Sequence, residues 1–144
     1  MPAGSTLRGA WSIGTTGSDV NNSSASVSYL LKYPGTTAPT LVYVAAALED
    51  CSTSPTKALC EANNKNVEDG ACPGSAENPQ AKAGFVCFYV GLNSNAGESS
   101  FDAFFSTFNT SLYGATLVMK GKQAGEKFAQ FFAVGTWAVT APEA

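Results

Sequence analysis

Residues 24–33 read SASVSYLLKY, and this stretch gives the clearest indication of fold class in the sequence. One face of an extended chain here carries Ala25, Val27, Tyr29 and Leu31. The other face carries serines, and such alternation with a period of two is typical of a strand with one buried face. We therefore expect a half-buried strand over residues 24–33, ended by the Pro-Gly pair at residues 34–35.

Further strands are predicted on both sides of this segment, at residues 6–13, 40–45, 84–90, 114–120 and 135–142. Residues 93–97 are predicted to form a turn, and residues 101–108 a short helix or an irregular strand. Residues 126–134 show phenylalanines at helical spacing, but the turn before them and the strand after them leave little room for a helix. Six to eight short strands separated by turn signals predict one all-β domain, an antiparallel sandwich or barrel.

Composition excludes several function classes. The 144 residues suffice for one domain, 44% of them are hydrophobic, and only 13% are charged. A formal net charge of -3 argues against nucleic-acid binding, which needs clustered cations. Histidine is absent, which removes the most frequent general base and metal ligand. We expect no catalytic residues, no metal and no cofactor.

Four cysteines, Cys51, Cys60, Cys72 and Cys87, indicate structural disulfides. None belongs to a C-x-x-C pair, so zinc spacing is missing. Of the three connectivities, Cys51–Cys60 and Cys72–Cys87 are favoured because each pair brackets a turn-rich segment. These cysteines lie in or just after a polar insertion at about residues 48–83, which can hold a short helix with Ser54 as N-cap and Pro55 at the first position.

Disulfides predict an oxidising compartment, or the outside of a cell or virion. No apolar stretch approaches the ~18 residues of a membrane span, and residues 1–6 lack the charged and apolar regions of a secretory signal. Two explanations reconcile these features. The chain is the C-terminal piece of a longer exported protein, or it belongs to a virus particle.

Large aromatic residues are the candidate ligand or interface residues, namely Trp11, Tyr29, Tyr33 and Tyr113. Exposed rings of this kind stack on sugars, although a place in the core or a subunit interface is the more frequent fate. The carboxylate pairs Glu49-Asp50 and Glu68-Asp69 are better explained as solvated loop residues than as the opposed acids of a glycosidase.

Two motifs resemble a known kind of domain. Residues 72–89, CPGSAENPQAKAGFVCFY, and residues 135–142, GTWAVTAP, resemble the C-terminal domains of exported or stalked actinobacterial proteins. Residues 4–9 are similar to the start of that domain. The resemblance supports a Cys72–Cys87 disulfide and implies a head domain, often carried on a coiled-coil or collagen-like stalk. By analogy, such heads are frequently trimeric jelly rolls similar to complement C1q and tumour necrosis factor domains.

These features together predict a non-enzymatic head domain at a cell surface, used for adhesion or structure. Its expected partners are further copies of itself, with a trimer favoured, a stalk or surface protein, and a glycan. The alternative keeps the fold and places it in a phage virion, as a tail-fibre tip or capsid decoration protein. A carbohydrate-active enzyme is the least favoured interpretation.

Overall fold

A computed structural model describes residues 1–14, 22–44, 51–52, 57–68, 70–94, 105–120, 123–124, 127–128 and 132–144. Within these ranges the chain forms strands and one helix. In chain order they are β1 (Thr6–Gly14), β2 (Asn22–Ser28), β3 (Thr40–Val44), α1 (Lys57–Glu68), β4 (Phe85–Ser94), β5 (Phe105–Thr110), β6 (Gly114–Lys120), β7 (Gln123–Ala124), β8 (Lys127–Phe128) and β9 (Phe132–Thr140).

Two sheets pack face to face, which confirms the all-β sandwich. Sheet A has the order β1-β9-β4-β3 and sheet B the order β2-β6-β5, while β7 and β8 pair separately. Among these strands, every pairing is antiparallel except that of β3 with β4, which is parallel. The predicted antiparallel pairing therefore holds for the other described strand pairs, and the pair of β3 with β4 departs from it.

The polar insertion is the connection that the parallel pair requires. Adjacent parallel strands cannot be joined by a tight turn, and a crossover of about a dozen residues or more, usually helical, must link them. Helix α1 lies in this crossover and is 12 residues long, more than the short helix expected. The predicted cap residues Ser54 and Pro55 lie outside the described residues. None of the described helical residues forms a helix long and apolar enough to cross a membrane.

Both favoured disulfides are present, so the predicted connectivity is confirmed. The Cys72–Cys87 bond ties the crossover to β4, and it lies in a small second core on the outer face of sheet A. The Tyr89 hydroxyl, also on that face, donates to the Gln80 carbonyl and accepts from the Gly74 amide. Burial raises the pKa of Tyr89 above its usual value, although the hydrogen bond that its hydroxyl accepts from the Gly74 amide opposes the shift. The crossover is therefore fixed to the sheet by covalent and polar contacts.

The main core lies between the sheets and contains both tryptophans. Strands β1 and β9 each carry the sequence Gly-x-Trp, and their antiparallel register sets Gly9 opposite Trp137 and Trp11 opposite Gly135. The Trp11 indole N–H donates to the carbonyls of Tyr89 and Thr136, at 3.2 and 3.1 Å. A Cβ atom at Gly9 would lie 2.6 Å from the Trp137 indole nitrogen, so each ring occupies the space above a glycine of the neighbouring strand.

Several strand bounds differ from the sequence-based expectations. Strand β2 ends at Ser28 rather than reaching residue 33, because the Ser28 hydroxyl accepts from the Leu30 amide and Leu30 takes a left-handed φ of 66°. The chain bends there, so Leu31 is 50% exposed instead of facing the core. Strand β4 continues through residues 93–94, where the sequence predicts a turn, and residues 95–97 lie outside the described residues. The segment 101–108 is a strand from residue 105 onward, and its first four residues lie outside the described residues.

Candidate binding site

Three of the four candidate aromatic residues belong to the core. Trp11, Tyr29 and Tyr33 are at most 4% exposed, and the Tyr29 ring packs between Tyr33 and Trp137. These rings are enclosed by the two sheets of their own chain, so they do not offer a surface for stacking on a sugar. Tyr113 differs, since 65% of it is exposed, and it marks the candidate site.

The turn that carries Tyr113 is tightly hydrogen-bonded. The Ser111 hydroxyl accepts from the amides of Tyr113 and Gly114, at 3.1 and 3.2 Å, and the Ser111 amide donates to the Gly114 carbonyl. The Tyr113 carbonyl in turn accepts from the Tyr29 amide at 3.0 Å. The backbone that presents the ring is therefore fixed before any ligand binds.

Gly114 allows this turn to approach strand β2 closely. A Cβ atom at Gly114 would lie 2.2 Å from the Val27 carbonyl oxygen, so no other residue fits without moving the backbone. The β2–β6 register begins at this point, with Ser28 opposite Gly114. Tyr113 consequently lies directly before the Ser28–Gly114 pair, at one end of sheet B.

Tyr113 borders a groove on sheet B whose volume is about 520 Å³. Its polar lining consists of hydroxyl and amide side chains, from Ser26, Ser28, Asn109, Thr110, Ser111 and Thr116. The hydroxyls of Ser26 and Thr116 lie 3.0 Å apart and hydrogen-bond to each other. Among the described residues, no side chain that lines this groove is charged, so hydrogen bonding and ring contact are the interactions it can offer.

Two exposed leucines lie at the same end of the sandwich. Leu30 and Leu31 are 86% and 50% exposed, and the Tyr29–Tyr113 hydrogen bond places them beside the Tyr113 turn. Sequence reasoning identifies neither leucine as a candidate site residue. Alternation places Leu31 on the buried face of a regular strand, and it makes Leu30 one of several outward-facing residues. The left-handed φ of Leu30 has no clear signal in the sequence, since glycine or asparagine is usual in that conformation.

Of the four carboxylates considered for catalysis, the structure describes one. Glu49, Asp50 and Asp69 lie outside the described residues, while Glu68 is an exposed residue at the end of α1. Within the described ranges, no three His, Cys, Asp or Glu side chains form a group that could hold a metal ion.

No protein-family model matches the chain, and comparisons with curated proteins and with solved structures find no match either. The resemblance to stalk-borne head domains therefore stays a prediction, and a functional assignment has to rest on the geometry of the surface.

Proposed function

We propose that this chain is a non-enzymatic extracellular head domain that serves in adhesion, and that the groove beside Tyr113 recognises a carbohydrate. The observation that carries the proposal is the exposed Tyr113 ring on a rigid turn, at the rim of a groove lined by hydroxyl and amide groups. Sites for small ligands typically combine aromatic surface with a few placed polar groups.

The chemistry of the groove suits a neutral sugar better than a charged ligand. A pyranose ring offers an apolar face of C–H groups, which packs on an aromatic ring, and hydroxyls at its edge, which exchange hydrogen bonds with serine, threonine and asparagine. An anionic ligand would require a cationic partner, and the described residues of the groove lining include none.

The disulfides support the proposed location. Two disulfide bonds indicate a non-reducing environment, because thiols in the cytosol are kept reduced. A place at a cell surface extends this inference, and it agrees with a role in which the exposed groove meets ligands from outside.

The test is binding to a panel of neutral oligosaccharides of four to six pyranose units, measured by glycan array and then by calorimetry. We expect binding to weaken about tenfold or more in Tyr113→Ala, equivalent to about 1.4 kcal/mol. Tyr113→Phe should retain binding within about threefold, because the ring face is kept.

Leu92→Ala is the matched control, since Leu92 is also an exposed apolar side chain (59%) but lies on sheet A. It should bind as the unmodified chain does. The proposal fails if no sugar of the panel binds, or if Tyr113→Ala and Leu92→Ala bind equally well.

A further inference from the structure

Strand β1 is an edge strand whose outward backbone groups can be identified. The Ala141 amide donates to the Ser5 carbonyl, whereas the carbonyl of Thr140, the residue before it, accepts from the Gly84 amide on the other side of β9. Hydrogen-bonded pairs alternate along an antiparallel ladder. The N–H and C=O groups of Thr6, Arg8, Ala10 and Ser12 therefore point away from β9, toward the outer edge of sheet A. Within the described ranges, no strand pairs with that edge.

Among the described residues, β1 lacks several of the features that usually protect an edge strand. Strand β1, described over its full length, is nine residues long, its register with β9 is continuous, and it contains no proline. Edge strands are commonly kept apart by short length, bulges, prolines or outward-pointing charges. The other edge of sheet A, β3, has five residues, and β5 at the edge of sheet B has a register shift.

The charge on β1 is also directed away from its edge. Arg8 is the only charged residue of the strand, and its Nε donates to the Pro79 carbonyl at 2.7 Å. Pro79 belongs to the crossover, which lies on the outer face of sheet A, so the guanidinium extends back across the sheet. Ala10 and Ser12, the next residues on the same face, are small and exposed.

We propose that β1 pairs with β1 of a second copy of this chain, antiparallel and across a two-fold axis, to join the two A sheets into one. An edge of unpaired amides and carbonyls is complementary to another strand. A two-fold axis at Ala10, the middle residue of β1, lets residues 8–12 of the two copies pair, over about 17 Å at ~3.3 Å per residue.

The same register avoids the one electrostatic conflict that this strand could create. With Ala10 opposite Ala10 of the second copy, Arg8 lies opposite Ser12, and the two arginines are kept apart. Like charges placed directly opposite each other would destabilise a strand pair. The strand is thus self-complementary in its backbone groups, its side-chain sizes and its charge, which is why a second copy is the occupant we assign.

This contact is closed after two copies, so it produces a dimer. It replaces the trimer expected from the resemblance to stalk-borne heads. The inference does not depend on sugar recognition, because β1 contributes no side chain to the groove beside Tyr113.

The test is the solution mass of the oxidised chain by light scattering over a concentration series. We expect twice the 14.8 kDa chain mass, at low and at high salt alike, because backbone pairing involves no charged groups. Ala10→Pro should weaken dimerisation at least tenfold. It removes an amide at the axis from both copies, yet this amide is not used in the β1–β9 ladder, so the fold should be retained in near-UV circular dichroism.

Charge variants test the identity of the partner even if the proline variant unfolds. Ala10→Lys and Ala10→Glu should each dimerise more weakly than the unmodified chain, and an equimolar mixture should form a mixed dimer tighter than either alone. Ala58→Lys, at an exposed position of α1, is the matched control and should remain dimeric. The proposal is overturned if the unmodified chain is monomeric or trimeric. It is also overturned if the equimolar mixture of the two charge variants dimerises no more tightly than either variant alone.

Discussion

Replacing Gly135 by alanine should destabilise the fold more than the same change at Gly9 or Gly91, the other glycines inside the strands of sheet A. An added Cβ atom would lie 1.8 Å from the Tyr89 carbonyl oxygen and 2.8 Å from the Trp11 indole nitrogen. The first contact is with the backbone of the neighbouring strand, which cannot rotate away. Relief of this contact requires β9 to move from β4, and relief of the second contact requires Trp11 to leave its place.

The expected loss can be worked out from these contacts. Overpacking a core typically costs about 1–3 kcal/mol. Displacing Trp11 would also break the two hydrogen bonds of its indole N–H, and leaving such a donor buried without a partner costs about 1–3 kcal/mol. We expect Gly135→Ala to lower the free energy of unfolding by about 3 kcal/mol or more, a large share of the roughly 5–15 kcal/mol that a domain usually has.

Chemical denaturation of the oxidised protein, followed by tryptophan fluorescence, measures this difference. Gly91→Ala is the control from the same part of the sheet, because its added Cβ would be no closer than 3.5 Å to any atom, an ordinary contact. Gly9→Ala should fall between the two, since the atoms nearest to its added Cβ belong to the Trp137 side chain. If Gly135→Ala unfolds within about 1 kcal/mol of Gly91→Ala, on the order of the assay's own error, the reciprocal Gly–Trp packing is not a major source of stability.

Two further predictions concern buried groups. Tyr29→Phe should leave the free energy of unfolding unchanged or raise it, because the buried Tyr29 hydroxyl has no hydrogen-bond partner among the described residues. Tyr89→Phe should lower the free energy of unfolding by about 1–3 kcal/mol, because the Tyr89 hydroxyl loses two partners. Thermal melts of both variants test this difference, and equal stabilities would contradict it. Replacing Cys72 and Cys87 together by alanine should cost about 3 kcal/mol from the entropy of a 15-residue loop, and more than the same change at the shorter disulfide. Denaturant midpoints of the two double variants compare them, and the reverse order would refute this ranking.

The sequence predicts much of the fold because its signals are local. Period-two alternation and turn residues locate most strands, and the cysteine spacing favours the disulfides that the structure contains. The reciprocal packing of Gly9 on Trp137 and of Trp11 on Gly135 is visible as a repeated Gly-x-Trp only once the two strands are known to be partners. Non-local pairing is what a single sequence does not reveal.

The candidate site is predictable only in part for the same physical reason. Tyr113 stands out as a large aromatic residue, but its exposure depends on the Ser111 turn and on the hydrogen bond from Tyr29. Trp11 and Tyr33 are equally aromatic and are buried by the opposing sheets. Composition does not distinguish these cases, because burial depends on where each residue falls relative to both sheets.

The crossover explains why the open edge of sheet A lies at β1. Parallel pairing of β3 with β4 requires a long connection, and the Cys72–Cys87 bond holds that connection over the outer face of β4. Among the described residues, its contacts reach β9 through the hydrogen bond from Thr136 to the Ala76 carbonyl, and β1 through Arg8. The backbone edge beyond Arg8 is left for another strand, while the groove beside Tyr113 is on the opposite sheet. In the proposed pairing the two A sheets join along β1, while the proposed sugar site of each copy lies on its own sheet B.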